Sequence, residues 1–401
     1  MPDKRYREGG DSFLKFQVNT MIVKVKSISG ILLFLVVFGS KGSSEETFSR
    51  FSAHSFGKLS DGREVSAFIL KNANGVSVQI LDLGGVIASL EVPDSSGNFA
   101  DVIAGFDYPQ PYLDGAGYMG AIVGRFANRI SGASFSVDGV NYSLAKNNGN
   151  NAIHGGLFGF DKKIWETDYS IGLKDSKLIL STYSPDGEEG YPGRVEVNVT
   201  YTLNDQNQLV IDYSATSDKT TIINLTNHAY FNLDGHGAGS ILEHEVIINA
   251  NRFTPIDESS IPTGAILEVV GTPFDFRQRK AIGLEIESED QQINFGSGYD
   301  HNFVIDHSEL GDISLAAEVY SSNSGRVMKV YTDQPGVQFY TGNFLNSTLV
   351  GKDGAVYGRR SAFCLETQHF PDSPNKPMFP STTLRPGDRF SSRTVFEFLT
   401  E

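Results

Sequence analysis

Residues 194–202 read RVEVNVTYT. Successive side chains of an extended chain point to opposite sides. Val195, Val197, Val199 and Tyr201 therefore share one face, and Arg194, Glu196, Asn198 and Thr200 share the other. One apolar and one polar face is the pattern of a half-buried antiparallel strand. The same period of two runs through VSVQILDLGGVIASLEV (76–92), SFSVDGVNYSL (134–144), KLILSTYS (177–184) and LVIDYSAT (209–216). It returns in HEVIINA (244–250), VMKVYTD (327–333) and AFCLETQ (362–368). Asp-Gly, Asn-Gly and Asn-Asp pairs, which favour tight turns, separate many of these runs.

Helical signals are sparse. AIGLEIE (281–287) reads as a short helix, and no long helical period recurs, which argues against alternating βα units. There is no repeat of fixed length and no Pro-, Ser- or Gly-rich linker to divide the body. The expected fold is all-β: one large antiparallel β-sandwich domain over residues 51–401, behind an N-terminal extension at 1–50. A β-propeller is the structural alternative, since it too is built from many short strands.

Composition narrows the function. Among 401 residues, 33 Lys plus Arg against 48 Asp plus Glu give a formal charge of −15. A phosphate-tracking surface needs clustered basic charge, so a nucleic-acid partner is not expected. Hydrophobic residues at 39% and charged residues at 20% suit a large core and argue against extended disorder. Cys364 is the single cysteine, which excludes an intrachain disulfide and any cysteine-cluster metal site.

The N-terminus has the order of a secretory signal. Lys24 and Lys26 precede the apolar run ILLFLVVF (31–38), and small residues follow in GSKGSS (39–44). The run is too short for a membrane span. The expected location is the secretory pathway or the cell exterior; a cytoplasmic protein, or one anchored by an uncleaved segment, is the alternative. Asn141, Asn198, Asn224 and Asn346 each begin an Asn-x-Ser/Thr glycan acceptor triplet and suit that location, although Asn224, four residues before His228, is not expected to carry a glycan.

No phosphate-binding loop, dinucleotide fingerprint, zinc-protease helix or serine-hydrolase elbow occurs. The chemistry-bearing residues sit in other segments. His154, His228, His301 and His369 lie in polar, Gly- or Asn-rich contexts rather than on apolar faces, and Arg125, Asn128 and Arg129 cluster in GRFANRI (124–130). A cleft of His, Asn, Asp, Arg, Gln and Glu with aromatics suits a neutral polyol. Sugar hydroxyls both donate and accept, and aromatic faces match the apolar face of a pyranose. His228 and Glu366 form the candidate acid–base pair. Cys364 alternates with Phe363 and Leu365 on an expected strand and reads as a buried, inert thiol.

These segments carry a resemblance. DVIAGFD (101–107), GAIVGRFANRI (120–130), NNAIHGGLFGFDKKIW (150–165), NLTNHAYFNL (224–233), GTPFDFR (271–277), YDHNFV (299–304), PGVQFYTGN (335–343), FCLETQHFPDSPN (363–375) and LRPG (384–387) follow one another in order. In these motifs the chain resembles the galactose mutarotases, or aldose 1-epimerases, over roughly residues 52–398. The resemblance implies the mutarotase-like supersandwich. It implies interconversion of the α and β anomers of free hexoses such as D-galactose and D-glucose, with no metal or organic cofactor and a small-molecule aldose as partner. Residue by residue it implies His228 as general acid and Glu366 as general base. Asn128, Arg129, His154, Asp300 and Gln338 become sugar-binding residues, with His154 also at the ring oxygen. Phe126 stands where the family often has Tyr or Val, and Ala152 where Ser is common.

The implied mechanism expects a histidine near its ordinary pKa of about 6.5 and an ionised glutamate. Their titration would give a bell-shaped pH dependence of kcat/KM. The alternatives are a non-catalytic carbohydrate-binding or interaction protein on the same fold, and a phosphohexose epimerase, which would need an added basic clamp. A glycosidase would use two placed carboxylates, with Glu366 and Asp300 as the candidates.

Overall fold

The computed structural model describes residues 49–309 and 311–401. The apolar run at 31–38 and the signal segment expected around it lie outside the described residues. Every pairing between strands is antiparallel among the described residues.

The largest sheet has nine strands, in the order Glu166–Ile171, Asp175–Ser184, Val195–Asn204, Gln208–Ser217, Phe390–Thr400, Arg326–Thr332, Ser314–Tyr320, Glu245–Ile248 and Lys280–Ala281. Val195–Asn204 behaves as its pattern predicts. Val195, Val197, Val199, Tyr201 and Leu203 are buried, and the residues between them are exposed or half-buried. A second sheet is a five-strand meander in chain order: Phe51–Lys58, Glu64–Lys71, Ser77–Leu81, Ile87–Pro93 and Phe99–Asp101. Its Val78, Ile80 and Leu90 join Leu180, Val199, Ile211 and Phe396 of the large sheet in one apolar cluster. Burying each such Val, Leu, Ile or Phe contributes roughly 1.5–3 kcal/mol, so this shared layer is the main force holding the sheets face to face.

This is a sandwich rather than a propeller. A propeller blade is built from consecutive strands, whereas here Phe390–Thr400 pairs with Gln208–Ser217 on one side and Arg326–Thr332 on the other.

The expected helix at 281–287 does not form. Lys280–Ala281 is a strand, and Ile282–Leu284 makes a single 3₁₀ turn. Ile282 and Ile286 are drawn into the core instead. The helix lies just beyond, at Gln291–Gly296, where Asp290 caps it by accepting from the N–H groups of Gln292 (2.8 Å) and Ile293 (3.4 Å). No helix among the described residues is long and apolar enough to cross a membrane.

A third sheet positions the site. Its order is Leu267–Glu268, Arg252–Thr254, Asp300–Val304, Gly336–Tyr340 and Cys364–Gln368. The last three strands are buried along their whole length, so both faces are covered. Phe303, Val337, Phe339 and Leu365 enter the shared core. Alternation turns Asp300, Asn302, Gln338, Tyr340, Cys364 and Glu366 to the other face.

Candidate active site

Register assembles the polar face. Asn302, Gln338 and Glu366 stand abreast on three neighbouring strands, and Asp300, Tyr340 and Cys364 form the next row. Residues directly opposite on antiparallel strands have Cβ atoms about 4.5–5.5 Å apart, so each row is a set of side-chain neighbours.

His228 comes to this face from a different element. It follows the short strand Thr226–Asn227, which pairs with Ile122–Val123. Its N–H donates to Ala121 O and its C=O accepts from Gly120 N, both at 2.9 Å. Asn227 braces the turn, donating to Gly120 O at 2.8 Å and accepting from Ala229 N at 3.0 Å. The backbone of His228 and the side chain of Asn227 are thus both tied to the Gly120–Ala121 segment, which fixes where the imidazole starts.

The third group rides on a two-strand ribbon, Arg129–Ile130 with Ala152–Ile153. Asn128 and His154 at its ends both have positive φ, 62° and 51°. They hold each other there: His154 N donates to Asn128 O at 3.1 Å, and Asn128 N donates to His154 Nδ1 at 3.2 Å. Gly155 follows at φ 89°, where a Cβ would run into the carbonyl oxygen of Gly124. Only glycine permits this close crossing.

These elements enclose a cavity of about 340 Å³. Asn128, Arg129, His154, His228, Asp300 and Glu366 line it. Gln338, expected among the sugar-binding side chains, stands abreast of Glu366 on the same face, and its Oε1 is buried with no hydrogen-bond partner among the described residues. Its Nε2 donates to Asp300 Oδ1 at 2.7 Å, while Arg129 stands 3.5 Å from Asp300 Oδ2. Sequence reasoning anticipated aromatics without naming them. They are Tyr118, Tyr230, Tyr340 and Phe344, and their signal was only their nearness to the polar motifs. Asn346 and Thr348 stand at the rim.

The other flagged residues are placed as supports. Arg125 is buried and donates to the carbonyls of Pro192 (2.7 Å) and Gly193 (3.0 Å) and to Ser184 Oγ (2.6 Å). His301 turns to the opposite face from Asp300, against Phe253 and Phe274. His369 bonds Gln334 Oε1 through Nδ1 at 2.8 Å. Asn224 is fully buried, with its amide given to Ala127 O and His369 O, so a glycan there is incompatible with this fold.

His228 Nε2 lies 3.6 Å from Glu366 Oε1, and the two side chains are only 6% and 2% exposed. Glu366 Oε2 has no hydrogen-bond partner among the described residues. Burial disfavours charge on both groups. It pushes His228 down to about 4. It raises Glu366 well above the usual carboxylate range, with the Asp300 charge adding to the rise and Arg129 opposing it. His154 is driven well down, first by burial and then by His228 and Arg129. This corrects the expectation of an ordinary histidine and a readily ionised glutamate. Both shifts favour a neutral acid beside a neutral imidazole.

His154, His228 and Glu366 each bring a potential ligand atom to within 4.8 Å of the others, as a metal site would. The donor chemistry does not fit. His154 Nδ1 accepts a backbone N–H, so its hydrogen stays on Nε2 and that nitrogen has no lone pair to give. The same tautomer makes His154 a hydrogen-bond donor. Together the groups offer a proton acceptor, a proton donor and a second donor around one small polar space.

The chain matches the family model described as aldose 1-epimerase over residues 66–397. It is 46% identical to the galactose mutarotase of Sus scrofa over 343 residues, 86% of this chain and 97% of that one. It is 37% identical to the aldose 1-epimerase of Escherichia coli K12 over 343 residues, 85% of this chain and 97% of the relative. Among solved structures, an aldose epimerase homologue from C. elegans superposes with a TM-score of 0.76 at 33% identity, covering 83% of this chain and 98% of that one. A galactose 1-epimerase from Lactobacillus acidophilus gives 0.77 at 28%, covering 87% and 98%. The antiparallel sandwich is the architecture of these relatives.

Proposed function

The chain belongs to the aldose 1-epimerase family, and on that premise we propose that it interconverts the α and β anomers of free hexoses such as D-galactose and D-glucose. The observation that carries the mechanism is the 3.6 Å approach of His228 Nε2 to Glu366 Oε1 inside the cavity. Glu366, as carboxylate, takes the proton of the C1 hydroxyl. His228, as imidazolium, gives its Nε2 proton to the ring oxygen as the C1–O5 bond breaks. An open-chain aldehyde results, and the pair is now neutral. Rotation about C1–C2 presents the other carbonyl face. His228 then takes the proton of the C5 hydroxyl as that oxygen attacks C1, and Glu366 returns its proton to the carbonyl oxygen.

The electrostatics favour this cycle. A low-dielectric site stabilises the neutral pair over the ion pair, and the neutral pair is the state reached on ring opening. The burial that makes each ion costly therefore lowers the intermediate relative to the reactive ion pair, which forms from the neutral pair by transfer of one proton from Glu366 to His228. His154 supports charge at the ring oxygen through its Nε2–H. Asp300, Arg129 and Asn128 bind hydroxyls, with Asp300 held in place by Gln338.

Arg129 is the one cationic side chain on the cavity wall among the described residues, and Asp300 already engages it. That favours a neutral aldose over a phosphorylated one. The order of basic, apolar and small residues about 31–38 supports a secretory or extracellular location.

Polarimetry on freshly dissolved α-D-galactose and α-D-glucose tests the reading. The protein accelerates approach to an unchanged equilibrium rotation, and folded His228→Ala and Glu366→Gln variants lose roughly 10²–10⁴-fold in rate. Hydrolysis of aryl glycosides that depends on Glu366 and Asp300 would overturn it.

A further inference from the structure

His228 has two nitrogens and two different neighbours. Nε2 faces Glu366, and Nδ1 lies 3.5 Å from the sulfur of Cys364. The plane of the ring is held by others. Tyr230 stacks on it, with centroids 5.0 Å apart and planes at 21°, and His154 meets it edge-on at 5.1 Å. What these contacts leave open is which nitrogen carries the hydrogen of the neutral ring.

The reaction needs one answer. Nε2 must lose a proton on ring opening and regain one on closure, so Nδ1 must keep its hydrogen throughout. A buried N–H left without an acceptor is costly. Cys364 Sγ is the hydrogen-bond partner that Nδ1 has among the described residues. The thiol is itself fully buried and lies two residues from Glu366 on the same face of Cys364–Gln368.

We propose that Cys364 is a positioning residue whose sulfur accepts the Nδ1–H of His228, holding the tautomer in which Nε2 faces Glu366 and the sugar. The inference rests on His228 acting as the general acid. Sulfur suits the task because it is a weak acceptor. A carboxylate at this place would stabilise the imidazolium and blunt it as an acid; the thiol orients the ring and adds little to its hold on the proton. The titratable groups around the ring are Glu366, His154, Cys364 and the phenols of Tyr118, Tyr230 and Tyr340. Of these, the residue substituted in the test is the one that touches Nδ1.

The test combines histidine-labelled ¹⁵N NMR of the full chain without sugar with kinetics of Cys364→Ala and Cys364→Ser. The wild-type His228 signal is that of the Nδ1–H tautomer. In Cys364→Ala it moves to Nε2–H, and kcat falls roughly tenfold, as expected for the loss of one orienting hydrogen bond. Cys364→Ser, whose hydroxyl is a better acceptor, restores the Nδ1–H signal and shifts the acid limb of kcat/KM to higher pH. Should the alanine variant not fold, the serine variant carries the test through that shift. A wild-type ring protonated at Nε2 overturns the proposal. So does a folded alanine variant with unchanged kcat and pH profile, or a loss of kcat in alanine that serine neither rescues nor accompanies with a moved acid limb. The NMR result is independent of catalysis, whereas full activity in His228→Ala would defeat the general-acid assignment whatever the tautomer.

Discussion

Gln338 Nε2 donates to Asp300 Oδ1 across 2.7 Å, on the side of the carboxylate away from Arg129. The carboxylate is thereby held in one orientation. Gln338→Leu removes that brace. A hydrogen bond to a charged group is worth about 1.5–3 kcal/mol, so KM for the preferred aldose rises by about tenfold or more while kcat changes far less. Initial rates over a range of sugar concentrations decide the matter; an unchanged KM with a collapsed kcat would assign Gln338 to the chemical step instead.

The pH profile of kcat/KM follows from one proton shared by His228 and Glu366. With His228 lowered to about 4, the acid limb appears near that pH, where the histidine gains a proton although Glu366 still holds its own and no base remains. The alkaline limb is set by the raised Glu366, where the pair loses its last proton and no acid remains. The limbs belong to the pair as a coupled unit. Rates at constant ionic strength, with folding followed by circular dichroism, test this. An acid limb at 6.5 in folded protein would mean that burial does not perturb the histidine.

Glu366→Gln separates stability from activity. A carboxyl whose folded pKa is raised above its unfolded value contributes fully below the unfolded value near 4.5, and that contribution is lost as pH rises toward the folded one. Glutamine has no such loss. The inactive variant therefore unfolds at a higher Tm than the wild type at pH 8, and the gap closes toward pH 4.5. A gap that is constant with pH would show that Glu366 titrates alike in both states.

Gly155→Ala tests the crossing of Gly155 over Gly124. The position has φ 89° and no room for a Cβ beside the Gly124 carbonyl. Strain and displacement together cost at least about 2 kcal/mol. Denaturant unfolding shows a lower midpoint, and activity falls more than at a remote glycine such as Gly97, where nothing lies within 4 Å, because His154 is the preceding residue.

How far the sequence could be read depended on which faces water touches. In Val195–Asn204 one face is solvated, so polarity and position agree and the strand is plain. In Cys364–Gln368 all five residues are buried. Polarity there reports the site rather than solvent, and composition cannot distinguish the two. Asp300 and His301 make the same point as neighbours in one polar motif, since one faces the cavity and the other packs among phenylalanines. The resemblance named polar side chains that line the cavity, but the gathering of Asn302, Gln338 and Glu366 into one row depends on cross-strand register, which is a property of pairing rather than of any segment. The pKa displacements were unreadable for the same reason: they arise from how completely distant segments exclude water.

Phe390–Thr400 joins the two parts of the nine-stranded sheet, four strands from residues 166–217 on one side and four from residues 245–332 on the other. During synthesis both parts leave the ribosome before the strand that unites them. Each then presents an unpaired edge, and an unpaired edge is a template for the wrong partner. The period of greatest exposure to aggregation thus falls late, after every cavity-lining side chain has already been made.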